Sequence, residues 1–159
     1  MIIATTAMAT TRTDGQVAAD RTVEGVWHGG YHCTVEAGSF TIKVDEPLSV
    51  GGTDLGPQPT DLLLASVASC FTLALSYAAR KRSIELTELS VRATGTYDGL
   101  QFGAIRVDAR VGAPEAELER LVEVAERVCY VTNTLRSGVR LSTQAVSTAA
   151  VPTDGSEYS

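Results

Sequence analysis

The chain has 159 residues, 44% of them hydrophobic and 20% charged, with a net charge of −6. That is enough for one domain whose core needs no staples. The acidic balance argues against a nucleic-acid partner. Three cysteines set far apart, at 33, 70 and 129, do not make a secreted disulfide framework. The opening M-I-I-A-T-T-A-M lacks the basic start and apolar run of a signal peptide, so a reducing cytoplasm is the expected compartment.

Residues 1–16 are rich in Thr and Ala without a period and read as a flexible arm, ahead of a single domain over 17–148 and a disordered polar tail over 149–159. From Gln16 to Gly29 the β-formers Val17, Val23, Val26 and Trp27 predict a strand. Gly29-Gly30 and Gly38-Ser39 are hairpin turns, separating further strands at Tyr31–Ala37 and Phe40–Val44. In the last of these, Phe40, Ile42 and Val44 alternate with Thr41 and Lys43, which gives one buried face. Asp45–Gln58 is broken by Gly51-Gly52, Gly56 and Pro57 and reads as a long loop feeding a helix.

Pro59 to Arg82 reads as that helix. Pro59 suits the first helical position. Asp61 in the first turn and Arg80, Lys81 and Arg82 in the last follow the helix dipole. Leu62 to Ala79 carries no charge, only hydroxyls, and a helix apolar all round is buried all round. Its length also reaches that of a minimal membrane span, about 18 residues, but the hydroxyls dilute it and no second candidate exists, so no membrane is expected. Ser66, Cys70, Ala74 and Ala78 form a ridge of small side chains at i, i+4 spacing. Such a ridge admits another helix or backbone closely and leaves a sulfur at the floor of a groove. Taken alone, Cys70 is either that sulfur or a small core hydrophobe.

Leu86–Tyr97, a hairpin turn at Asp98-Gly99 and Phe102–Val111 predict two more strands. Pro114 opens a second helix with the one-sided stripe Leu118, Leu121, Val122, Ala125, Val128 and Cys129. A break and one further turn follow at Tyr130–Arg136, Gly138 ends it, and Val139–Ser147 reads as a last strand. The order βββ, helix, ββ, helix, β predicts an α+β fold. The histidines are His28 and His32, and no ligand-spaced pair accompanies them, so no metal is expected. The glycines at 51–56 match neither G-x-G-x-x-G nor a P-loop. No cofactor is expected.

Three stretches together resemble the OsmC/Ohr superfamily of thiol-dependent hydroperoxide reductases. They are Asp45-Glu46-Pro47 with Gly51-Gly52 and Gly56-Pro57; P-T-D-L-L-L-A-S-V-A-S-C-F from Pro59 to Phe71; and C-Y-V-T-N-T-L from Cys129 to Leu135. The resemblance covers roughly residues 20–147. It implies an OsmC-like fold, an antiparallel sheet wrapped around two helices, the long central one carrying Cys70, as an intertwined homodimer with its active site at the subunit interface. It makes Cys70 the peroxidatic cysteine and Cys129 the resolving one. The sequence departs from the organic-hydroperoxide branch where that branch has a Glu after the helix-opening Pro. Here Thr60 stands there and Asp61 follows, about 100° further round the helix. Tyr130 likewise replaces the usual Pro after the second cysteine.

A cysteine in the middle of a helix gains little from the dipole, and burial raises its pKa, so an active Cys70 calls for an imported positive charge. The resemblance implies an arginine from the N-terminal segment, Arg12 or Arg21, oriented by a carboxylate from Glu46, Asp61 or Asp54. The implied cycle takes Cys70 to a sulfenic acid, condenses it with Cys129 to a disulfide, and returns it with an external dithiol of lipoyl or thioredoxin type. Phe71 and Leu73 would favour a small apolar hydroperoxide. Two alternatives stand beside this peroxidase. One is an OsmC-fold module binding a small ligand; the other is a redox-sensing stress protein without turnover.

Overall fold

The computed structural model describes residues 20–148. The expected arm over 1–16 with Arg12, and the expected tail over 149–159, lie outside the described residues. Within them the elements are β1 (Glu24–Gly29), β2 (His32–Ala37), β3 (Phe40–Val44), α1 (Pro59–Lys81), β4 (Leu89–Asp98), β5 (Gln101–Val111), α2 (Glu115–Val128) and α3 (Tyr130–Ser137), plus one 3-10 turn at Leu48–Val50. The fold is α+β. Two compact units divide it: the chain up to Ala68 with Ala93–Val107, and Ser69–Arg92 with the chain from Asp108 onward.

In the first unit β1, β2 and β3 form an antiparallel meander. Trp27 pairs with Cys33, Cys33 with Val44, Val35 with Ile42, and Ala37 with Phe40. One face is therefore apolar, while Thr41 donates to Glu36 across the other at 2.8 Å. Among the described residues the first strand starts at Glu24, with 20–23 outside it, and Tyr31 belongs to the turn; the expected start at Gln16 lies outside the described residues.

The loop after β3 is organised by Asp45, which is 1% exposed. Its carboxylate accepts from the Glu46 N–H at 2.8 Å, the Thr53 N–H at 3.1 Å, the Thr53 hydroxyl and the Leu55 N–H at 3.3 Å. The loop doubles back so closely that a Cβ on Gly52 would overlap the Glu46 backbone. Gly52 is required by space, because any side chain would meet backbone atoms that cannot move aside. The same segment delivers Pro59 as the first residue of α1.

In the second unit Leu75, Ala78 and Ala79 of α1 are buried, as are Leu121 and Ala125 of α2 and Cys129 beyond it. The α2 stripe is as expected except at Val122, which is 36% exposed. Arg82 holds Glu117 through Nε at 3.0 Å and Nη2 at 2.6 Å. Helix α1 ends in a Schellman motif: the Ile84 N–H donates to Ala79 O at 2.9 Å and the Ser83 N–H to Arg80 O at 3.2 Å. Ser83 takes the left-handed conformation there, with φ 54°. Strands β4 and β5 form a hairpin whose turn, Gly99-Leu100, belongs to the first unit, with Gly99 at φ 63°.

Three expectations are corrected. Residues 139–147 form no strand, and Val139, Leu141 and Val146 are exposed. Alternation supplies a face, but a strand also needs a neighbour to take its backbone hydrogen bonds. The single turn expected after Cys129 is a full helix of eight residues. Helix α1 is not buried all round, because Leu63, Leu73 and Tyr77 stay exposed. By length and apolarity α1 also passes for a membrane span, yet Val67, Phe71, Ala74, Leu75, Ala78 and Ala79 are buried within the protein.

Candidate active site

Cys70 lies in α1, on the small ridge, and Cys129 lies between α2 and α3. Cys129 ends α2 through its N–H, which donates to Ala125 O at 2.9 Å, and caps α3 through its carbonyl, which accepts from the Asn133 N–H at 3.1 Å. The sharp junction follows from its extended backbone, φ −75° and ψ 104°. The structure brings the two thiols into hydrogen-bond contact. No disulfide joins them, and Cys33 is likewise a free thiol.

The environments of the two sulfurs differ. Burial pushes the Cys70 thiol up, and the neighbouring Cys129 sulfur adds to the rise, while the N–H groups of Val131 and Tyr130 oppose it. Burial also raises Cys129 and is its largest single influence. It is outweighed by the Thr132 hydroxyl and N–H, the Cys70 thiol and the Val131 N–H, so Cys129 lies below the ordinary thiol range. Cys129 is 0% exposed, whereas Cys70 is half-buried.

Cys70 opens onto a groove of about 700 Å³. Leu73, Ala74 and Tyr77 of α1 form one wall, and Arg127, Val128, Tyr130 and Asn133 the other. The Asn133 side chain donates to Arg127 O at 3.0 Å, which ties the start of α3 to the end of α2. The groove can hold an apolar group against Leu73 and Tyr77 with its polar end toward Cys70.

Of the residues expected at the site, Cys70, Cys129 and Leu73 come together in the second unit. Phe71 belongs to the core, at 6% exposure, and does not line the groove. Arg21 is exposed at the start of the described chain. Arg21, Glu46, Asp54 and Asp61 make no ion pair among the described residues. Asp61 stands in the first turn of α1, where the N–H of Asp61 donates to Gln58 O at 3.0 Å. Thr60 accepts from the Tyr97 hydroxyl at 3.0 Å. His28 and His32 stack at 5.1 Å in the first unit. Among the described residues no three His, Cys, Asp or Glu side chains gather as a metal site.

Sequence reasoning gave no site role to Arg127, nor to Tyr130, Thr132 and Asn133 although they lie in the C-Y-V-T-N-T-L stretch. Their signal lies in the polar run directly after Cys129, in which Thr132 falls three residues on, one helical turn from the sulfur-bearing residue.

The family described as OsmC-like protein matches residues 52–144. An uncharacterised protein of Haloferax volcanii is 26% identical over 124 residues, covering 76% of this chain and 90% of its own. An OsmC-like protein from Mycoplasma pneumoniae superposes with a TM-score of 0.65 at 21% identity, over 74% of this chain and 88% of that one. The organic hydroperoxide resistance protein OsmC of Legionella pneumophila does so with a TM-score of 0.57 at 23% identity, over 76% and 92%.

Proposed function

We propose, from the premise that the chain belongs to the OsmC-like protein family, that it is a thiol-dependent peroxidase that reduces organic hydroperoxides. One observation carries the reading: the free Cys70 thiol faces a groove with an apolar wall and touches the free, buried thiol of Cys129. A thiol next to a second thiol supports disulfide formation, and the wall of Leu73 and Tyr77 supports an alkyl or aryl peroxide over hydrogen peroxide.

Cys70 is the peroxidatic cysteine, because it meets the groove. Its sulfur attacks the distal oxygen of the hydroperoxide, the O–O bond breaks, and the alcohol leaves as Cys70 becomes a sulfenic acid. Cys129 resolves it. The Cys129 sulfur displaces water from the sulfenic acid, and an external dithiol of lipoyl or thioredoxin type reduces the disulfide by exchange. The protein works as a homodimer in the cytoplasm. The exposed apolar residues Leu63, Leu73 and Tyr77 on α1, and Trp27 and Phe40 on the sheet, support a second copy as their cover.

A redox-sensing role without turnover is the second reading. It is favoured by the surroundings of Cys70, where no cation is among the leading influences. Steady-state turnover of cumene hydroperoxide with a dithiol separates the two. The peroxidase reading expects catalysis that Cys70→Ser abolishes and Cys33→Ser leaves intact. Oxidation of Cys70 without turnover by any dithiol would favour the sensor.

A further inference from the structure

The basic run that closes α1 is only partly used by the fold. Arg82 is bound to Glu117. Among the described residues neither Arg80 nor Lys81 makes an ion pair or a side-chain hydrogen bond, and both are exposed. The helix end does not call on them either. The carbonyls of Ala79 and Arg80 already accept the N–H groups of Arg82, Ser83 and Ile84, so the backbone itself satisfies them.

Arg80 and Lys81 line a hollow of about 230 Å³ together with Tyr77. Tyr77 also lines the groove onto which Cys70 opens. The two spaces adjoin at that side chain, within the second unit. Cys70, Ala74, Tyr77 and Lys81 follow one another at steps of four, three and four, which is one helix face. Lys81 Nζ stands 5.7 Å over the Tyr77 ring, so its charge is held beside the apolar wall instead of trailing into solvent. The order along the face is thiol, apolar wall, cation. Eleven residues separate Cys70 from Lys81, about 16 Å of helix. An extended chain covers that length in roughly a dozen bonds.

We propose that the hollow is the anion-binding end of the Cys70 groove, where Lys81 and Arg80 take the carboxylate of a long-chain acid whose apolar body lies over Tyr77 and Leu73. A guanidinium offers a carboxylate a planar pair of donors, and an ammonium adds a point charge. As a substrate site the hollow rests on the peroxidase reading: the hydroperoxide it selects carries its O–OH group roughly a dozen bonds from a carboxylate. A neutral hydroperoxide fills the same groove without the charge-assisted contact and binds more weakly. At ten and eleven residues from Cys70, Arg80 and Lys81 act on affinity and leave the reacting sulfur alone.

The test is calorimetric titration of the reduced full-length chain with ω-hydroxydodecanoate, the alcohol left when such a hydroperoxide is reduced, and with its methyl ester. No peroxide is present, so binding is read apart from turnover. The acid is expected to bind about tenfold more tightly than the ester. The paired variant Arg80→Gln with Lys81→Gln is expected to bring the acid down to the ester and leave the ester unchanged. Both side chains are exposed, so this variant is expected to fold. Arg127→Gln, on the opposite wall, is expected to keep the preference. Equal binding of acid and ester, binding of neither, or a preference that survives the paired variant overturns the site. A preference lost in Arg127→Gln instead places the carboxylate on the other wall and overturns it too. Steady-state KM for ω-hydroperoxydodecanoate and its methyl ester then separates the two readings. The expected binding without turnover of either hydroperoxide keeps the anion site and sinks the peroxidase reading. Turnover with equal KM for both keeps the peroxidase and overturns the site.

Discussion

Cys70 and Cys129 meet where α2 gives way to α3, and their thiols hydrogen-bond although one belongs to the middle of a helix and the other to a junction. Ala74, one turn on from Cys70, is buried and lines the same groove as Tyr130 and Asn133 of α3.

Cys129→Ser is expected to stop the cycle after its first step. Cys70 would then persist as a sulfenic acid that dimedone traps, and further peroxide would carry it to the sulfinic acid. Turnover should fall to background. Mass spectrometry of the dimedone-treated variant checks this, and an untrapped, unmodified Cys70 would contradict it.

Leu73 and Phe71 are near neighbours in sequence with different consequences. Leu73 is 71% exposed and lines the groove, so Leu73→Ala should raise KM for cumene hydroperoxide several-fold while leaving hydrogen peroxide reduction nearly unchanged. Phe71 is core, and Phe71→Ala should cost about 3–5 kcal/mol of stability. Urea unfolding beside steady-state kinetics on both variants separates the two effects.

Asp45 ties its loop to the end of β3, and the Thr53 hydroxyl, with the N–H groups of Glu46, Leu55 and Thr53, holds its carboxyl below the ordinary value of 3.8, against the opposing effect of burial. A folded-state pKa below the unfolded one adds stability at pH above 3.8 and loses it as pH falls through the folded value. Thr53→Val should therefore lower the urea midpoint at neutral pH and shrink its fall below 3.8. An unchanged acid limb would contradict the assignment.

Ser83 holds a left-handed conformation in the cap of α1, which a residue with a Cβ adopts at a cost of about 1–2 kcal/mol. Ser83→Gly should stabilise the protein by about 1 kcal/mol, with no effect on thiol chemistry. Thermal unfolding checks it.

The parts of the fold that rest on local signals were legible. Pro59, Asp61 and the basic last turn marked α1, the alternation Phe40, Ile42, Val44 marked β3, and Asp98-Gly99 marked the β4–β5 turn. Signals that depend on partners misled. Residues 139–147 read as a strand but are assigned none among the described residues, and α1 is apolar on a face that this chain leaves open at Leu63, Leu73 and Tyr77. Helix α3 is foreseen only as a single turn because it begins directly after Cys129, with no side-chain cap to announce it. Both cysteines of the pair were legible from their motifs. Thr132 and Arg127 were not, since their roles arise from a junction between helices. Asp45 was read as part of a motif, but its grip on Thr53 and Leu55 exists only in the folded loop.

The central claim is that Cys70 and Cys129 form a working redox pair. It is tested most directly by intact mass and non-reducing peptide mapping after one equivalent of cumene hydroperoxide. A rapid loss of two hydrogens is expected, with Cys70 linked to Cys129 and Cys33 still free. A Cys70 that stays reduced, or that oxidises no faster than Cys33, would contradict it.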